Sequence, residues 1–349
     1  MKGTGIISAT QQKRQSDEID TSEKNEIDLS SGARVVNGTI AEFHDFPYAI
    51  FIYIDLGTGG EACAGSLIAD NVVVTAAHCL LDSKGQKYPA KNVLLSAGSE
   101  KSIQTNTNRF SANDTFVFPS FDPNTLVHDI GLVILSAPIP RTIATPIPIY
   151  SGEIVDSLSV FAAGWGITSN GPNASISNVL NQVPLKVSSA DTCKKLNGYW
   201  VNNNNYCVCT ANANGQDTCY GDSGGPLVHK EQGIPTLVGL TSLGNAPGNK
   251  IRPECGMNGG VAYYTRIHFF IDWISSTTGI NKLQLSYPSS NVSNTTVFAS
   301  ANVPPSISAA GASEDTPTLE ISAAFSSSYS RNMHLLSIFA FSALIHLYL

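Results

Sequence analysis

The sequence predicts an all-β fold, a barrel or a sandwich, for the central part of the chain. Between residues 35 and 280, short runs of β-branched and aromatic residues alternate with Gly, Pro and Asn, which is typical of many short strands separated by turns. Only Phe269–Ser275 has helical spacing, because Phe270, Trp273 and Ile274 share one i, i+3, i+4 face. We therefore expect an all-β domain that ends in one helix.

Each predicted strand is supported by its β-branched or aromatic content and by the turn residues that flank it. The runs are also shorter than an ordinary helix. In chain order, the predicted strands are Tyr48–Ile54, Gly65–Ile68, Val72–Thr75, Val93–Ala97, Ile130–Leu135, Val160–Ala163, Leu180–Val187, Pro226–Val228, Leu237–Thr241 and Ala262–Ile267.

The composition excludes several classes of protein. With 29 glycines and 18 prolines in 349 residues, neither a collagen nor a wholly disordered chain fits. The net charge of −7 argues against a nucleic-acid-binding protein, which normally carries a basic patch. Charged residues make only 13% of the chain and hydrophobic residues 42%, so uncharged Ser, Thr and Asn must supply much of the polar surface.

Three segments outside the β-rich domain differ from it in composition. Residues 1–34 are polar and charged and are expected to form a disordered propeptide. Residues 281–325 are rich in Ser, Thr and Pro, which predicts a disordered, glycosylated stalk. Residues 326–349 end in the apolar run Met333–Leu349, as in a removable GPI-anchor signal. The alternative for this run is a marginal single transmembrane helix.

The cysteines and glycosylation motifs predict an oxidising, secretory route. Seven cysteines lie between residues 63 and 255 with no CxxC pair or zinc-type histidine spacing, so disulfides are favoured and no metal is expected. Met1–Thr10 lacks the apolar core of a signal peptide, which leaves open a mis-assigned start or another export route. Glycosylation motifs occur at Asn37, Asn113, Asn173, Asn291 and Asn294.

Three segments of the β-rich region carry residues suited to catalysis. Thr75–Cys79 places His78 at the end of a predicted strand, although a lone histidine there is more often structural. Asp129 stands directly before an apolar predicted strand, where a partly buried carboxylate needs a partner. Asp217–Pro226 surrounds Ser223 with glycines, which suits an oxyanion site, and the alternative is a Gly-rich hairpin turn.

Four motifs follow one another along this region: TAAHC at Thr75–Cys79, DIGL at Asp129–Leu132, AAGWG at Ala162–Gly166 and GDSGGP at Gly221–Pro226. In this order they resemble the trypsin/chymotrypsin-like serine peptidase family, S1. The resemblance implies two six-stranded antiparallel Greek-key β-barrels with a C-terminal helix and an active site between the barrels. It implies a serine-type endopeptidase that hydrolyses peptide bonds.

The resemblance also implies a catalytic triad. Ser223 would attack the peptide carbonyl, His78 would accept the hydroxyl proton, and Asp129 would orient the imidazole. A serine hydroxyl is a poor nucleophile at neutral pH, so it needs such a base within hydrogen-bond reach. The backbone N–H groups of Gly221 and Ser223 would form the oxyanion hole.

A specificity pocket for Arg or Lys follows from the same resemblance. Asp217 stands six residues before the serine, where the family places the pocket floor, and a buried carboxylate requires a cationic partner. Ser242 and Gly244 belong to the substrate-binding set, and Gly244 matches the small residue that keeps one wall open. Ala262 stands where glycine is common, which predicts a narrower pocket that favours Arg over Lys or slows both.

The segment Arg34–Gly38 resembles the family's activation junction. Cleavage after Arg34 would free the amine of Val35, which would pair with Asp222 and order the oxyanion loop, so we expect a zymogen. A glycan at Asn37 would block this insertion, and we therefore expect Asn37 to be unoccupied and the other four motifs to be glycosylated.

The family pattern of disulfides leaves Cys207 without a partner. Cys207 would be free, exchange with Cys209, or link to another molecule. No cofactor is expected, because Gly98–Asn113 offers only Glu100 for a calcium loop. The implied pairs are Cys63–Cys79, Cys193–Cys209 and Cys219–Cys255.

Taken together, these inferences predict a secreted or cell-surface monomer. Its partners would be polypeptide substrates, protein protease inhibitors and a membrane reached through the C-terminal lipid anchor or helix, with no nucleic acid. The alternative is a non-catalytic peptidase-like binding protein, which is disfavoured because His78, Asp129 and Ser223 are all present. A cell-wall structural protein is a second alternative, opposed by the short stalk.

Overall fold

The structure, a computed structural model, describes residues 38–287 except 58, 171–173, 213 and 249–253. The predicted propeptide 1–34, the segment 326–349 and nearly all of the stalk 281–325 lie outside the described residues. Within the described part, no helix combines the length and the apolar character needed to cross a membrane. The predicted sites outside the described residues are Arg34, Val35, Asn37, Asn173, Asn291 and Asn294.

The first half of the described chain forms a closed barrel. Its strands are β2 (Ala49–Asp55), β3 (Gly60–Ala69), β4 (Val72–Thr75), β5 (Val93–Ser96), β6 (Arg109–Val117) and β7 (Gly131–Leu135). They close in the order β2-β3-β4-β7-β6-β5 with antiparallel neighbours. Because β5 returns beside β2 after three consecutive strands, the connection is a Greek key. Ile52, Leu67 and Leu132 are fully buried in this core.

The second half forms a second barrel, to which the N-terminal strand β1 (Thr39–Ile40) adds at one edge. Its sheet contains β1, β8 (Ile149–Tyr150), β9 (Ser159–Gly164), β10 (Asn181–Lys186), β11 (Cys207–Ala211), β12 (Pro226–Glu231), β13 (Ile234–Asn245), β14 (Val261–Arg266) and β15 (Ser286–Tyr287). The main path runs β1-β10-β9-β12-β13-β14-β11, with β8 and β15 beside it. A bridge between Val187 and Thr210 connects the ends of the six strands from β10 to β11. The predicted fold class, two six-stranded Greek-key barrels, is thereby confirmed.

The helices differ from the prediction in number and in bounds. The described helices are α1 (Asp191–Leu196), α2 (Ile271–Thr278) and α3 (Lys282–Leu285). The predicted C-terminal helix is α2, which follows a 3-10 turn and ends at Gly279, whose φ of +73° makes a left-handed cap. The prediction misses α1 and α3 because each is too short to show an apolar period.

Five strands fall outside the predicted runs, and β6 is the longest of them. Its sequence includes Ser, Asn and Asp, and its pairing register shifts between Ala112 and Asp114, so the alternation that marks a strand is interrupted there. β1, β8 and β15 have two residues each, which is shorter than any periodic pattern. β11 reads Cys-Val-Cys-Thr-Ala and has no run of large β-branched residues.

The implied disulfide pairing is confirmed. Cys207 is free and buried, so of its three predicted fates the structure has the free thiol. Burial raises the pKa of that thiol to about 12, which keeps it protonated at neutral pH. The S–S distances are 1.95, 2.03 and 1.98 Å in Cys63–Cys79, Cys193–Cys209 and Cys219–Cys255.

Candidate active site

A cavity of about 350 Å³ brings the predicted site residues of both barrels together. His78 comes from the first barrel, and Asp217, Ser223, Ser242 and Gly244 come from the second. The cavity is thus built at the junction of the two halves of the chain, and each half supplies different chemistry.

His78 is positioned by the 3-10 helix Ala77–Leu80, which follows β4. The disulfide between Cys79 and Cys63 ties this turn to β3. The His78 backbone N–H donates to Asp129 Oδ1 at 3.0 Å, and the ring Nδ1 lies 2.7 Å from Asp129 Oδ2. Because a carboxylate only accepts, Nδ1 carries the proton, and Nε2 of the neutral ring is left as a base.

Asp129 is completely buried, whereas the His78 side chain is 28% exposed. The second barrel completes the surroundings of this aspartate. The Ser242 hydroxyl donates to Asp129 Oδ2 at 2.6 Å, and the Thr265 hydroxyl donates to the Asp129 carbonyl at 2.7 Å. Ser242, predicted to bind substrate, therefore lines the cavity and also contacts Asp129.

The pKa values of this pair move in opposite directions. Burial alone would raise the pKa of the Asp129 carboxyl, but the charge and hydrogen bonds of His78 and the Ser242 hydroxyl hold it below its usual value. Burial alone would lower the pKa of the His78 imidazole, but the charge and hydrogen bond of Asp129 raise it above its usual value. The arrangement favours a carboxylate beside an imidazolium.

The backbone before Asp129 is strained. Leu126 and His128 have φ of 55° and 61°, a region that residues other than glycine adopt infrequently. The His128 ring packs edge-on against Tyr206 and Phe270 with centroid distances of 5.1 and 5.7 Å. This packing holds the turn that leads into Asp129. The sequence reasoning misses His128, because no motif marks its backbone conformation.

Ser223 lies in a turn that depends on glycine. Gly221 and Gly224 have φ of 97° and 76°, and a Cβ on Gly224 would collide with the Thr75 side chain and the Ala64 carbonyl. The Ser223 carbonyl accepts the Ala64 N–H at 2.8 Å, which ties the turn to the first barrel. Among the described residues, the N–H groups of Gly221 and Ser223 have no hydrogen-bond partner, so both remain available as donors.

Asp222 is completely buried next to this turn. Its carboxylate accepts the N–H of Gly166 at 2.7 Å and that of Cys219 at 2.9 Å. A Cβ on Gly164 or Gly166 would collide with it, which explains the glycines of the AAGWG motif. Burial raises the pKa of Asp222 to about 6, and the charge of Asp217 adds to the rise. No cation of the described chain forms an ion pair with it.

Asp217 lines the cavity with only 4% of its surface exposed. Its Oδ2 accepts Asn212 Nδ2 at 2.8 Å and the Gly256 N–H at 3.0 Å. Its Oδ1 has no partner within the described chain. Burial raises the pKa of this carboxyl to about 6. The sequence reasoning misses Asn212 and Gly256, which lie in separate segments and outside every motif.

The two predicted walls of the cavity differ in their surroundings. A Cβ on Gly244 would have only the Val261 carbonyl near it, at 3.8 Å, so this wall is open as predicted. Ala262 stands directly opposite Gly244 in the pairing of β13 with β14. It belongs to the core cluster of the second barrel with Val183 and Val208 and is not among the described residues that line the cavity, so the narrowing at Ala262 stays a prediction.

No metal is suggested by the one cluster of ligand-type residues found in the described chain. Cys63, His78 and Cys79 lie close together, but both sulfurs are joined in a disulfide and His78 Nδ1 faces Asp129. A disulfide sulfur is not a thiolate and is unsuited to bind zinc.

The residues that form this site lie within the part of the chain that matches a known protein family. The family model described as Trypsin matches residues 35–274. The chain belongs to the trypsin family. As a member of the trypsin family it is a serine-type endopeptidase that acts on polypeptides.

Trypsin-family relatives are similar over most of this chain. Coagulation factor IX of Oryctolagus cuniculus is 31% identical over 250 residues, which are 69% of this chain and 83% of the relative. Trypsin beta of Drosophila erecta is 33% identical over 218 residues, 60% of this chain and 78% of the relative. Serine protease 56 of Mus musculus is 33% identical over 250 residues, 69% of this chain, and the match spans only 38% of that longer protein.

Proposed function

We propose that this endopeptidase cleaves polypeptides after Arg or Lys and uses His78, Asp129 and Ser223 as its catalytic triad. One observation carries the proposal: the 2.7 Å contact between His78 Nδ1 and the buried Asp129 carboxylate. Ser223 and Asp217 line the same cavity as His78, and Asp217 forms no ion pair with a described residue.

The triad would act by moving one proton between oxygen and nitrogen. Ser223 Oγ attacks the carbonyl carbon while His78 Nε2 takes the hydroxyl proton, and Asp129 balances the imidazolium charge. The N–H groups of Gly221 and Ser223 stabilise the negative oxygen of the tetrahedral intermediate. His78 then gives the proton to the leaving amine as the C–N bond breaks. Water repeats the sequence to release the acyl group from Ser223.

Asp217 would select the basic residue. Its Oδ1 is buried without a partner in the described chain, and a buried, unpaired carboxylate is costly unless a cation neutralises it. The raised pKa, about 6, still leaves the group mostly ionised at pH 7. A substrate Arg or Lys side chain would supply the missing charge, and Gly244 leaves the wall open for it.

The surroundings of Asp222 support the hypothesis that the enzyme is made as an inactive zymogen. Its carboxylate is completely buried and has no cationic partner among the described residues, although it accepts two backbone N–H bonds. Cleavage after Arg34 would create a new cation, the amine of Val35, that could pair with Asp222 and order the turn that contains Gly221. We propose this as the activation step.

The chain would act outside the cell, in secreted form or anchored to the cell surface through its C-terminal segment. Asn113 is exposed on β6, as a glycosylated residue must be. The three disulfides suit an oxidising compartment. We propose that the enzyme is a monomer and that protein protease inhibitors bind its cleft.

A fluorophosphonate probe, which reacts with an activated serine, tests the triad and the zymogen together. The purified chain is labelled before and after treatment with trypsin. We expect labelling only after cleavage, none in Ser223→Ala, and none in Arg34→Gln after the same treatment. Equal labelling of untreated protein would contradict the zymogen, and turnover by purified Ser223→Ala would contradict the triad.

A peptide panel tests the pocket separately. Peptides that differ only in Arg, Lys, Phe or Leu before the cleaved bond are compared by kcat/KM. We expect cleavage after Arg and Lys only. Preference for Phe or Leu would overturn the basic-residue assignment while leaving the triad intact.

A further inference from the structure

The two carboxylate oxygens of Asp217 are not equivalent. Oδ2 accepts two hydrogen bonds, from Asn212 Nδ2 at 2.8 Å and from the Gly256 N–H at 3.0 Å. A carboxylate oxygen has about two lone-pair sites, so these two donors saturate Oδ2. Oδ1 is buried and has no partner in the described part of the chain. The adjacent Thr218 N–H also lowers the pKa of this carboxyl, but Oδ1 is the oxygen without a partner in hydrogen-bond geometry and is the one left for an incoming cation.

Asn212 supplies a second free oxygen. It directly follows β11, and its backbone N–H donates to the Gly260 carbonyl at 3.0 Å, which fixes its position beside Asp217. Since its side-chain donor must face the Asp217 carboxylate, its carbonyl Oδ1 points elsewhere. That Oδ1 is also buried without a partner among the described residues. Asn212 and Asp217 both line the cavity, and each has one buried acceptor oxygen without a partner among the described residues.

We propose that Asn212 is a specificity-determining residue that makes this pocket favour Lys over Arg. The inference rests on the proposed function, namely that Asp217 binds a basic side chain. A guanidinium forms its best contact as a planar fork on both oxygens of one carboxylate, and Asn212 together with Gly256 closes one of those oxygens. An ammonium carries three donors on one nitrogen, which suits two acceptors on separate residues, Asp217 Oδ1 and Asn212 Oδ1.

A neighbouring hydroxyl also favours a substrate ammonium group over a guanidinium. Thr218 lines the same cavity, and its Oγ1 lies 3.2 Å from the Tyr264 hydroxyl. If Tyr264 donates in that contact, the Thr218 oxygen is a third acceptor for the remaining ammonium proton. The sequence predicts that narrowing at Ala262 favours Arg over Lys or slows both, so a preference for Lys would be opposite to the first of these outcomes.

The test compares two peptide substrates that differ only in Lys or Arg before the cleaved bond. The activated enzyme is assayed after active-site titration, so that misfolded protein does not count. We expect the wild type to have the higher kcat/KM for the Lys peptide. Asn212→Ala frees Oδ2 and removes the amide acceptor, so the Lys/Arg ratio of kcat/KM should fall about tenfold, the value of one hydrogen bond to a charged group. Asn212→Ser is a second variant with the same expected direction.

Asn170→Ala is the matched control. Asn170 holds the neighbouring wall through two bonds to the Cys255 backbone, at 2.9 and 3.0 Å, and makes no described contact with Asp217. This variant should leave the Lys/Arg ratio unchanged. Inhibition by an alkylammonium and by an alkylguanidinium of equal length gives an independent readout, and Asn212→Ala should weaken the first relative to the second.

Different outcomes separate this inference from the proposed function. Cleavage after Phe or Leu, with neither basic peptide cleaved, would refute the function of Asp217 itself. Cleavage of both basic peptides with Arg preferred by the wild type, or with a ratio that Asn212→Ala does not change, would refute only the role of Asn212.

Discussion

The buried carboxylates on the two sides of the cavity differ in how they are paired. Asp129, beside the first barrel, bonds to His78, the one group of the described site that can become a cation next to it, and the pKa of Asp129 is lowered. Asp217 and Asp222, on the loop of the second barrel, have only neutral hydrogen-bond donors among the described residues, and both have a pKa raised to about 6. All three carboxylates are almost completely inaccessible to solvent.

The difference between the three carboxylates is whether a described residue compensates the burial of the negative charge. Burial of a carboxylate is tolerated when a charge and hydrogen bonds compensate it. Asp129 has that compensation from His78 within the folded chain. Asp217 and Asp222 have no cationic partner among the described residues. Under the proposed function, a substrate side chain would bring the missing charge to Asp217 and the new N-terminus would bring it to Asp222. Changes at these three positions should therefore have distinct signatures.

The largest effect is expected for Asp129→Asn. The amide would present a donor to His78 Nδ1, so that the proton moves to Nε2 and the ring can no longer accept from Ser223. We expect kcat to fall about 10⁴-fold, the size known for this exchange in trypsin-like enzymes, without loss of the fold. Asp114→Asn is the control, because Asp114 forms an exposed ion pair with Lys87 at 3.2 Å and should leave kcat unchanged. A loss below tenfold in Asp129→Asn would show that the orientation of His78 does not depend on the negative charge of Asp129.

A smaller but still severe effect is expected for Asp222→Asn in the activated enzyme. Breaking a buried ion pair typically costs about 3–5 kcal/mol, which corresponds to a loss of between about 10²-fold and a few thousandfold in competent enzyme. Titration of active sites after cleavage should show this loss while the protein remains folded by circular dichroism. If Asp222→Asn retained a full complement of active sites, Asp222 could not be the acceptor of the new amine.

The residues that the sequence predicts and those that it misses differ in how they act. His78, Asp129 and Ser223 lie within continuous motifs, and Val72–Thr75 is predicted with its observed bounds because four consecutive β-branched residues form it. Asn212 and Gly256 act on Asp217 from distant segments, so only the folded chain shows their contacts. His128 depends on a positive φ, which a side-chain pattern does not indicate.

Asp222→Asn should impair the activated enzyme but stabilise the uncleaved Arg34→Gln proenzyme against unfolding. The folded state keeps the Asp222 proton up to about pH 6, whereas the unfolded chain releases it near 3.8. Between these values the folded state binds more protons, so the free energy of unfolding falls as pH rises, by at most about 3 kcal/mol from this group. The described titratable groups whose charges interact with Asp222 are Asp217 and Tyr264, and neither supplies a positive charge.

Urea unfolding of this proenzyme pair at pH 4 and pH 7 measures the effect. Asp222→Asn should raise the urea midpoint at pH 7 and change it little at pH 4, because near pH 4 the carboxyl is protonated in the folded parent and still about half protonated in the unfolded chain, so little of the cost of its ionisation has developed. A midpoint lowered at pH 7 would mean that Asp222 already has a cationic partner before cleavage.

The smallest effect is expected for Ser242→Ala. This variant tests whether the hydrogen bond from Ser242 to Asp129 contributes to activity in addition to the contact of Asp129 with His78. The Ser242 hydroxyl donates to Asp129 Oδ2 at 2.6 Å and helps to lower the pKa of that carboxyl. Without it, Asp129 becomes a stronger acceptor for the His78 N–H, so the pKa of His78 should rise further and the acid limb of the kcat/KM profile should move to higher pH. Because the contact of Asp129 with His78 remains, kcat/KM at pH 8 should fall by no more than about tenfold. An acid limb that moved to lower pH would mean that Ser242 supports the charge of the imidazolium rather than that of the carboxylate.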